Sequence, residues 1–140
     1  MEPRRILAVD DERNIRLMLT QALSAHDTAV DTAVNAEEAL DRLEQSEYDL
    51  VLLDIHLPGM DGLTALREIH KRKPMLPVIV LTAHGTIDSA VDAMRAGAVN
   101  YLQKPFAPKE LREAVEGVLA KSRSPNDSPG DDRETSGDRG

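Results

Sequence analysis

The sequence predicts an α/β protein built on a doubly wound parallel sheet of five strands, flanked by five helices. Two patterns carry this. Five short apolar runs alternate with stretches of helical period, giving a strand-then-helix unit five times over. Three of those runs are apolar on successive residues with no polar alternation, so both faces of each strand are expected to be covered, as happens when helices pack on both sides of a parallel sheet. Right-handed crossovers then make the doubly wound arrangement the natural outcome. With 140 residues, 41% of them hydrophobic, the chain suffices for one domain with a core and not for two.

The first apolar run is Ile6 to Val9, and Ile15, Met18, Leu19, Ala22 and Leu23 follow it at i, i+3, i+4, i+7, i+8, one face of a helix. Thr28 to Val34 is the second strand. Asn35 with Glu38 three residues later forms a start signal for the helix of Ala36, Ala39, Leu40 and Leu43. Leu50 to Leu53 is the third strand, and Leu63, Leu66 and Ile69 mark the helix after it. Val78 to Leu81 is the fourth, followed by a helix through Ile87, Ala90, Val91 and Met94 that stops at Gly97. Asn100 to Gln103 is the fifth, and Pro108 opens a last helix carrying Leu111, Val115, Val118 and Leu119. Residues 1–121 form the expected domain. From Ser122 to Gly140 there is no Ala, Val, Ile, Leu, Met, Phe, Trp, Tyr or Cys, so residues 122–140 read as a disordered polar tail or an interdomain linker.

Composition excludes several functions. Lys plus Arg number 17 against 25 Asp plus Glu, a net charge of -8, with no Trp, one Phe and two Tyr, so direct nucleic-acid binding is not expected. No Cys is present, which removes disulfides, thiolate nucleophiles and Cys-based metal sites. After Met1-Glu2-Pro3-Arg4-Arg5 only four apolar residues run together, so neither a signal peptide nor a membrane anchor is expected and the protein is read as cytoplasmic.

In a doubly wound sheet, ligands sit beyond the carboxyl ends of the strands. Those ends carry Asp10-Asp11, Asp54, Thr82 and Lys104-Pro105. Singly, each has an ordinary explanation as a cap, a loop start or a turn. Together, three carboxylates without a counter-ion would repel and raise one another's pKa, which points to a cation, and oxygen-only donors with open positions suit Mg²⁺. A carboxylate beside Mg²⁺, with an ammonium and a hydroxyl to hold equatorial oxygens, describes a phosphoryl-transfer site. Asp54, ending the central and most apolar strand, is the candidate nucleophile.

The runs Val9-Asp10-Asp11-Glu12, Asp54-Ile55-His56-Leu57-Pro58-Gly59-Met60-Asp61-Gly62, Leu81-Thr82-Ala83-His84-Gly85 and Tyr101-Leu102-Gln103-Lys104-Pro105-Phe106 resemble, in order and spacing over residues 5–120, the receiver domain of two-component response regulators. The stretch Thr82 to Phe106 is most similar to receivers of the nitrogen-regulatory class of transcriptional activators. The resemblance implies a flavodoxin-like strand order 2-1-3-4-5 and a cis Lys104-Pro105 peptide. It implies that Asp54 accepts a phosphoryl group from a sensor histidine kinase, that Asp11, Asp54 and the main-chain carbonyl of His56 bind Mg²⁺ with Asp10 acting through water, and that Thr82 and Lys104 hold phosphoryl oxygens. On that pattern the protein is no enzyme but a phosphoacceptor with self-catalysed phosphotransfer and slow autodephosphorylation. Thr82 and Tyr101 would be the switch residues, with Gly85 and Gly97 bracketing the helix that moves. The face of the fourth helix, fifth strand and fifth helix would carry the output, including a possible homodimer, and ATPase and DNA-binding domains would follow if the chain is a fragment. His26, His56, His70 and His84 lack metal-ligand spacing, so no zinc site is expected.

Three other readings compete. A haloacid-dehalogenase-type aspartyl phosphatase needs a second Asp two residues after its nucleophile, where this chain has His56. A flavodoxin-like FMN carrier needs a polar phosphate loop and aromatics around the flavin, against Asp10-Asp11-Glu12 here. A binding module that is never phosphorylated has no use for the acidic cluster with Lys104, whereas a stand-alone receiver acting by protein-protein contact would keep that cluster and stays open as an alternative to a transcriptional output.

Overall fold

The computed structural model describes residues 3–25, 27–57, 59–83 and 87–122. The elements run β1 (Arg4–Val9), α1 (Arg13–Leu23), β2 (Thr28–Ala33), α2 (Ala36–Gln45), β3 (Leu50–Asp54), α3 (Gly62–Arg72), β4 (Val78–Thr82), α4 (Ile87–Arg95), β5 (Asn100–Gln103) and α5 (Pro108–Ser122). The five strands form one sheet in the order β2-β1-β3-β4-β5, every neighbour pair parallel. Both the doubly wound sheet and the order implied by the family resemblance are therefore present.

The pleat sorts the core into two layers. Leu7, Val9, Val51, Leu53, Val78 and Val80 face one way and pack under α2, α3 and α4 through Ala36, Leu40, Ala65, Leu66, Ile69 and Ala93. Ile6, Ala8, Leu50, Leu52, Ile79 and Leu81 face the other way, against Leu19 and Leu23 of α1 and Leu111, Val115 and Leu119 of α5. All of β3 and β4 are buried, as uninterrupted apolar runs require.

The helix starts follow local chemistry. Asn35 Oδ1 accepts from the Glu38 N–H at 2.8 Å while Glu38 Oε1 reaches back to accept from the Val34 N–H at 2.8 Å, a reciprocal cap. Asp61 caps α3 by accepting from the N–H groups of Leu63 and Thr64. Gly97 has φ +115° and closes α4 with a Schellman pair: Gly97 N–H to Met94 O at 3.2 Å and Ala98 N–H to Ala93 O at 3.0 Å.

Several expectations shift. β1 begins at Arg4, two residues before the apolar run, because Arg4 and Arg5 pair with Thr28 and Ala29 and are held by Glu116 and by Asp31. Val34 falls outside β2, and Asp54 and Thr82 belong to β3 and β4 as their last residues. On α4, Val91 and Met94 do not face the core; they are 40% and 46% exposed, while Ala93 is fully buried. Small side chains let α4 lie close to the sheet and α3, which turns the larger ones outward. Among the described residues no helix is long and apolar enough to cross a membrane.

Candidate functional site

The register brings the candidate residues to one edge. Val9 pairs with Leu53, Asp54 with Leu81, and Thr82 with Gln103, so Asp10, Asp54, Thr82 and Lys104 all emerge within a step or two of the carboxyl ends of β1, β3, β4 and β5. A Lys104 N–H to Thr82 O bond of 2.7 Å extends the β4–β5 pairing one residue further. The Lys104–Pro105 peptide is cis, as the resemblance implied.

Lys104 is the centre of the arrangement. Its Nζ donates to Asp10 Oδ2 at 2.7 Å and to Asp54 Oδ2 at 3.3 Å. The other oxygen of each carboxylate has its own donor: Asp10 Oδ1 accepts from the Glu12 N–H at 2.9 Å, and Asp54 Oδ1 from the His56 N–H at 2.8 Å. Asp10, Asp54 and Thr82 are all buried. Burial raises the Asp10 carboxyl pKa above its ordinary value, against the opposing pull of the Lys104 and Glu12 hydrogen bonds. Burial works against the Lys104 ammonium, but its hydrogen bond to Asp10 and the charges of Asp10 and Asp54 outweigh this and raise its pKa. Lys104 is therefore a cation at neutral pH.

This revises the electrostatic reasoning from sequence. The repulsion between Asp10 and Asp54 is relieved by Lys104, so repulsion alone does not demand a metal. What fits a metal is the donor set: Asp10, Asp11 and Glu12 bring carboxylate oxygens within 4.8 Å of one another, and Asp11 and Glu12 are open to solvent, where a hydrated ion can approach. Asp54 stands beside this triad, joined to Asp10 through Lys104.

Among the expected site residues, Asp10, Asp54, Thr82 and Lys104 meet in the buried part, and Asp11 lies at the rim. Tyr101 is half-buried on β5 against the α2–α3–α4 side of the core. His26, Pro58, His84 and Gly85 lie outside the described residues, as do residues 123–140 of the expected tail. One residue, Glu12, and one contact, made by the ring of His56, were not singled out from sequence. Glu12 completes the triad, and its adjacency to Asp10-Asp11 was the available signal. The His56 ring places Nε2 3.3 Å from Thr82 Oγ1, a contact that depends on the path of the loop after β3. That path is fixed by Gly62, which lies so near Ile55 that a Cβ there would be 2.0 Å from Ile55 Cα. Arg16 adds a brace, donating to the main-chain oxygen of Asp10 at 2.8 Å. A groove of about 390 Å³, lined in part by Tyr48, Arg72, Met75 and Pro77, is at the opposite end of the sheet and holds none of these groups.

Comparison with known proteins shows the family and agrees with the fold. Residues 6–116 match the family model described as the response regulator receiver domain. The chain is 43% identical over 115 residues to the DNA-binding transcriptional regulator NtrC of Escherichia coli K12, covering 82% of this chain and 24% of that protein. It is 39% identical over 118 residues to the transcriptional regulatory protein ResD of Bacillus subtilis 168, covering 84% and 49% respectively. The chain thus spans about a quarter of NtrC and about half of ResD. A crystal structure of NtrX from Brucella abortus in complex with ADP superposes with a TM-score of 0.83 at 39% identity, over 89% of this chain and 29% of that one. A CheY-like receiver from Methanospirillum hungatei superposes at 0.84 with 32% identity, over 89% and 99%. The likeness to NtrC and NtrX bears out the nitrogen-regulatory resemblance, and nothing in these matches favours the phosphatase or flavin alternatives. With sequence match and fold in agreement over residues 6–116, the chain belongs to the response regulator receiver domain family.

Proposed function

We propose that this chain is a phosphorylation switch in which Asp54 accepts a phosphoryl group from the phosphohistidine of a sensor histidine kinase. The observation that carries this reading is Lys104, whose single ammonium is shared between buried Asp10 and buried Asp54 at the end of the central strand. An Asp54 oxygen attacks phosphorus, the N–P bond of the donor breaks, and the departing imidazole keeps the electron pair and takes a proton. Asp54 is held for this by the His56 N–H on one oxygen and by Lys104 on the other. Lys104 keeps its grip on Asp10 and turns its remaining donors to the phosphoryl oxygens, and the Thr82 hydroxyl takes another. Asp11 and Asp54, with the His56 carbonyl, would hold Mg²⁺, and Asp10 would act through water; Glu12 joins them by its place in the triad. When bound, the ion offsets charge on the transferring group. The reaction is self-catalysed and reversed by slow hydrolysis, so the chain acts as a phosphoacceptor and not as a turnover enzyme.

The output belongs to the face of α4, β5 and α5. Val91 and Met94 are exposed on α4, Val99 precedes β5, and Tyr101 is half-buried, which gives that face apolar surface for a downstream domain or a second copy. Thr82 and Tyr101 couple the site to it. By analogy with NtrC, named a DNA-binding transcriptional regulator, the output is transcription in a cytoplasmic regulator; residues 1–121 are the receiver, and residues 122–140 are a polar tail or, if the chain is a fragment, a linker to ATPase and DNA-binding domains. Intact mass after incubation with acetyl phosphate and Mg²⁺ tests the core of this reading. One phosphoryl group is expected on the wild type and none on Asp54→Asn. Phosphorylation of Asp54→Asn at the wild-type rate, or release of phosphate over many turnovers, would overturn it.

A further inference from the structure

One contact at the site is not needed for phosphoryl transfer. His56 lies two residues beyond Asp54; its main-chain N–H donates to Asp54 Oδ1 at 2.8 Å, while its ring Nε2 is 3.3 Å from Thr82 Oγ1. The same residue thus touches the nucleophile with its backbone and the β4 hydroxyl with its ring. The register explains the reach: Asp54 pairs with Leu81, so Thr82 is one step further along the neighbouring strand, beside the start of the loop that carries His56. His56 is exposed and Thr82 buried, so the ring meets the hydroxyl from the solvent side. Either ring tautomer makes the bond, with the hydroxyl donating to a bare Nε2 or accepting from Nε2–H. In both cases the hydroxyl is engaged and its rotamer is held.

We propose that His56 is a positioning residue for Thr82: its ring holds the hydroxyl in the resting arrangement, and this contact is given up when the hydroxyl turns to a phosphoryl oxygen on Asp54. The proposal rests on the phosphoacceptor reading and adds a brake to it. A bond made in the resting state and absent from the phosphorylated one biases the equilibrium by its full worth, whereas a contact kept in both states would bias nothing. Removing the ring nitrogens therefore tightens binding of a phosphoryl mimic by about two- to tenfold, the worth of one partly exposed hydrogen bond.

The test is titration of the whole chain with beryllofluoride in excess Mg²⁺, followed by backbone amide shifts. His56→Phe keeps a ring and loses both nitrogens, and it should bind the mimic two- to tenfold more tightly than wild type, on the same bond estimate. His56→Gln, whose amide reaches the same hydroxyl, should restore wild-type affinity. In a Thr82→Val background, His56→Phe should change nothing. A readout without any ligand is the ¹⁵N shift of His56 Nε2, which should move on Thr82→Val in the metal-free protein. Unchanged or weaker binding by His56→Phe, an equal gain in the Thr82→Val background, or an unmoved Nε2 resonance would each overturn the proposal while leaving Asp54 as phosphoacceptor. Beryllofluoride binding to Asp54→Asn as well as to wild type would overturn the phosphoacceptor reading, and the brake with it.

Discussion

Gly62→Ala is the sharpest probe of how the site is held. Gly62 opens α3 and lies against Ile55, the residue between Asp54 and His56. A Cβ added there would stand 2.0 Å from Ile55 Cα and 2.5 Å from its carbonyl oxygen, and both are backbone atoms. Carbon atoms in contact sit about 3.5 to 4.0 Å apart, so the loop must retreat by more than an ångström. Overpacking of this kind costs about 1 to 3 kcal/mol. The Gly62 N–H to Ile55 O bond, 3.1 Å long, is strained or lost for about another 1 kcal/mol. The better helix propensity of Ala returns about 0.5 to 1 kcal/mol at most. The net expectation is a loss of roughly 1 to 3.5 kcal/mol and a melting temperature lower by about 4 to 15 °C for a domain of this size. Urea and thermal unfolding followed by circular dichroism measure it. Phosphorylation by acetyl phosphate should also slow, because a displaced Ile55 carries the His56 N–H away from Asp54 Oδ1. Gly117→Ala is the control, since a Cβ on this exposed helical glycine meets nothing within 4 Å, and it should stabilise by about 0.5 to 1 kcal/mol. Stability of Gly62→Ala within about 0.5 kcal/mol of wild type, the range of inert surface changes, would refute the reasoning.

The remaining predictions concern charge. Asp31 accepts from Tyr48 Oη at 2.6 Å and from Arg5 at 2.7 Å, and these bonds, the Tyr48 one foremost, hold its carboxyl pKa below the ordinary value. A depressed carboxyl pKa gives stability that is present above the unfolded value near 3.9 and lost as pH falls through the folded value. Asp31→Asn should therefore cost about 1 kcal/mol at pH 7 and flatten the acid limb of the stability curve; an unchanged acid limb would contradict the assignment. Tyr48 is the mirror case: burial and the Asp31 bond raise its pKa, so its contribution is present below about 10 and lost as pH rises through the folded value, which ultraviolet titration of the phenol would follow. Asp11→Asn removes one carboxylate of the rim triad and should weaken Mg²⁺ binding by at least about tenfold, while stability without metal stays level or rises. Isothermal titration and urea unfolding separate the two, and marked destabilisation would make Asp11 a structural residue.

Much of this was legible in the residues. The unbroken runs Leu50 to Leu53 and Val78 to Leu81 announce two-faced burial, and strand ends are where a parallel sheet presents its chemistry, so Asp10, Asp54, Thr82 and Lys104 stood out together. Strand order was not legible from periodicity, because an apolar run records that it is covered and not which strand lies beside it; the order came with the family resemblance. The packing face of α4 was misread for a related reason. Val91 and Met94 share a helical stripe as plausibly as Ala93 does, and only the proximity of α3 and the sheet decides that the small residue goes inside. The role of Lys104 as counter-ion, and the His56 contact with Thr82, depend on distances between chain segments that no local pattern encodes.

The position of Lys104 has a consequence for biosynthesis. The ammonium reaches Asp10 across 94 residues of chain and Asp54 across 50, so it joins the first and third strands from the fifth strand of the sheet. A chain that has folded only through β4 already owns both buried carboxylates but lacks the ammonium that sits between them. In such an intermediate, and in any copy cut before β5, the two carboxylates keep the mutual repulsion that Lys104 relieves in the finished sheet. The charge balance of this edge is thus completed in one step, when β5 docks, and not strand by strand as the sheet grows.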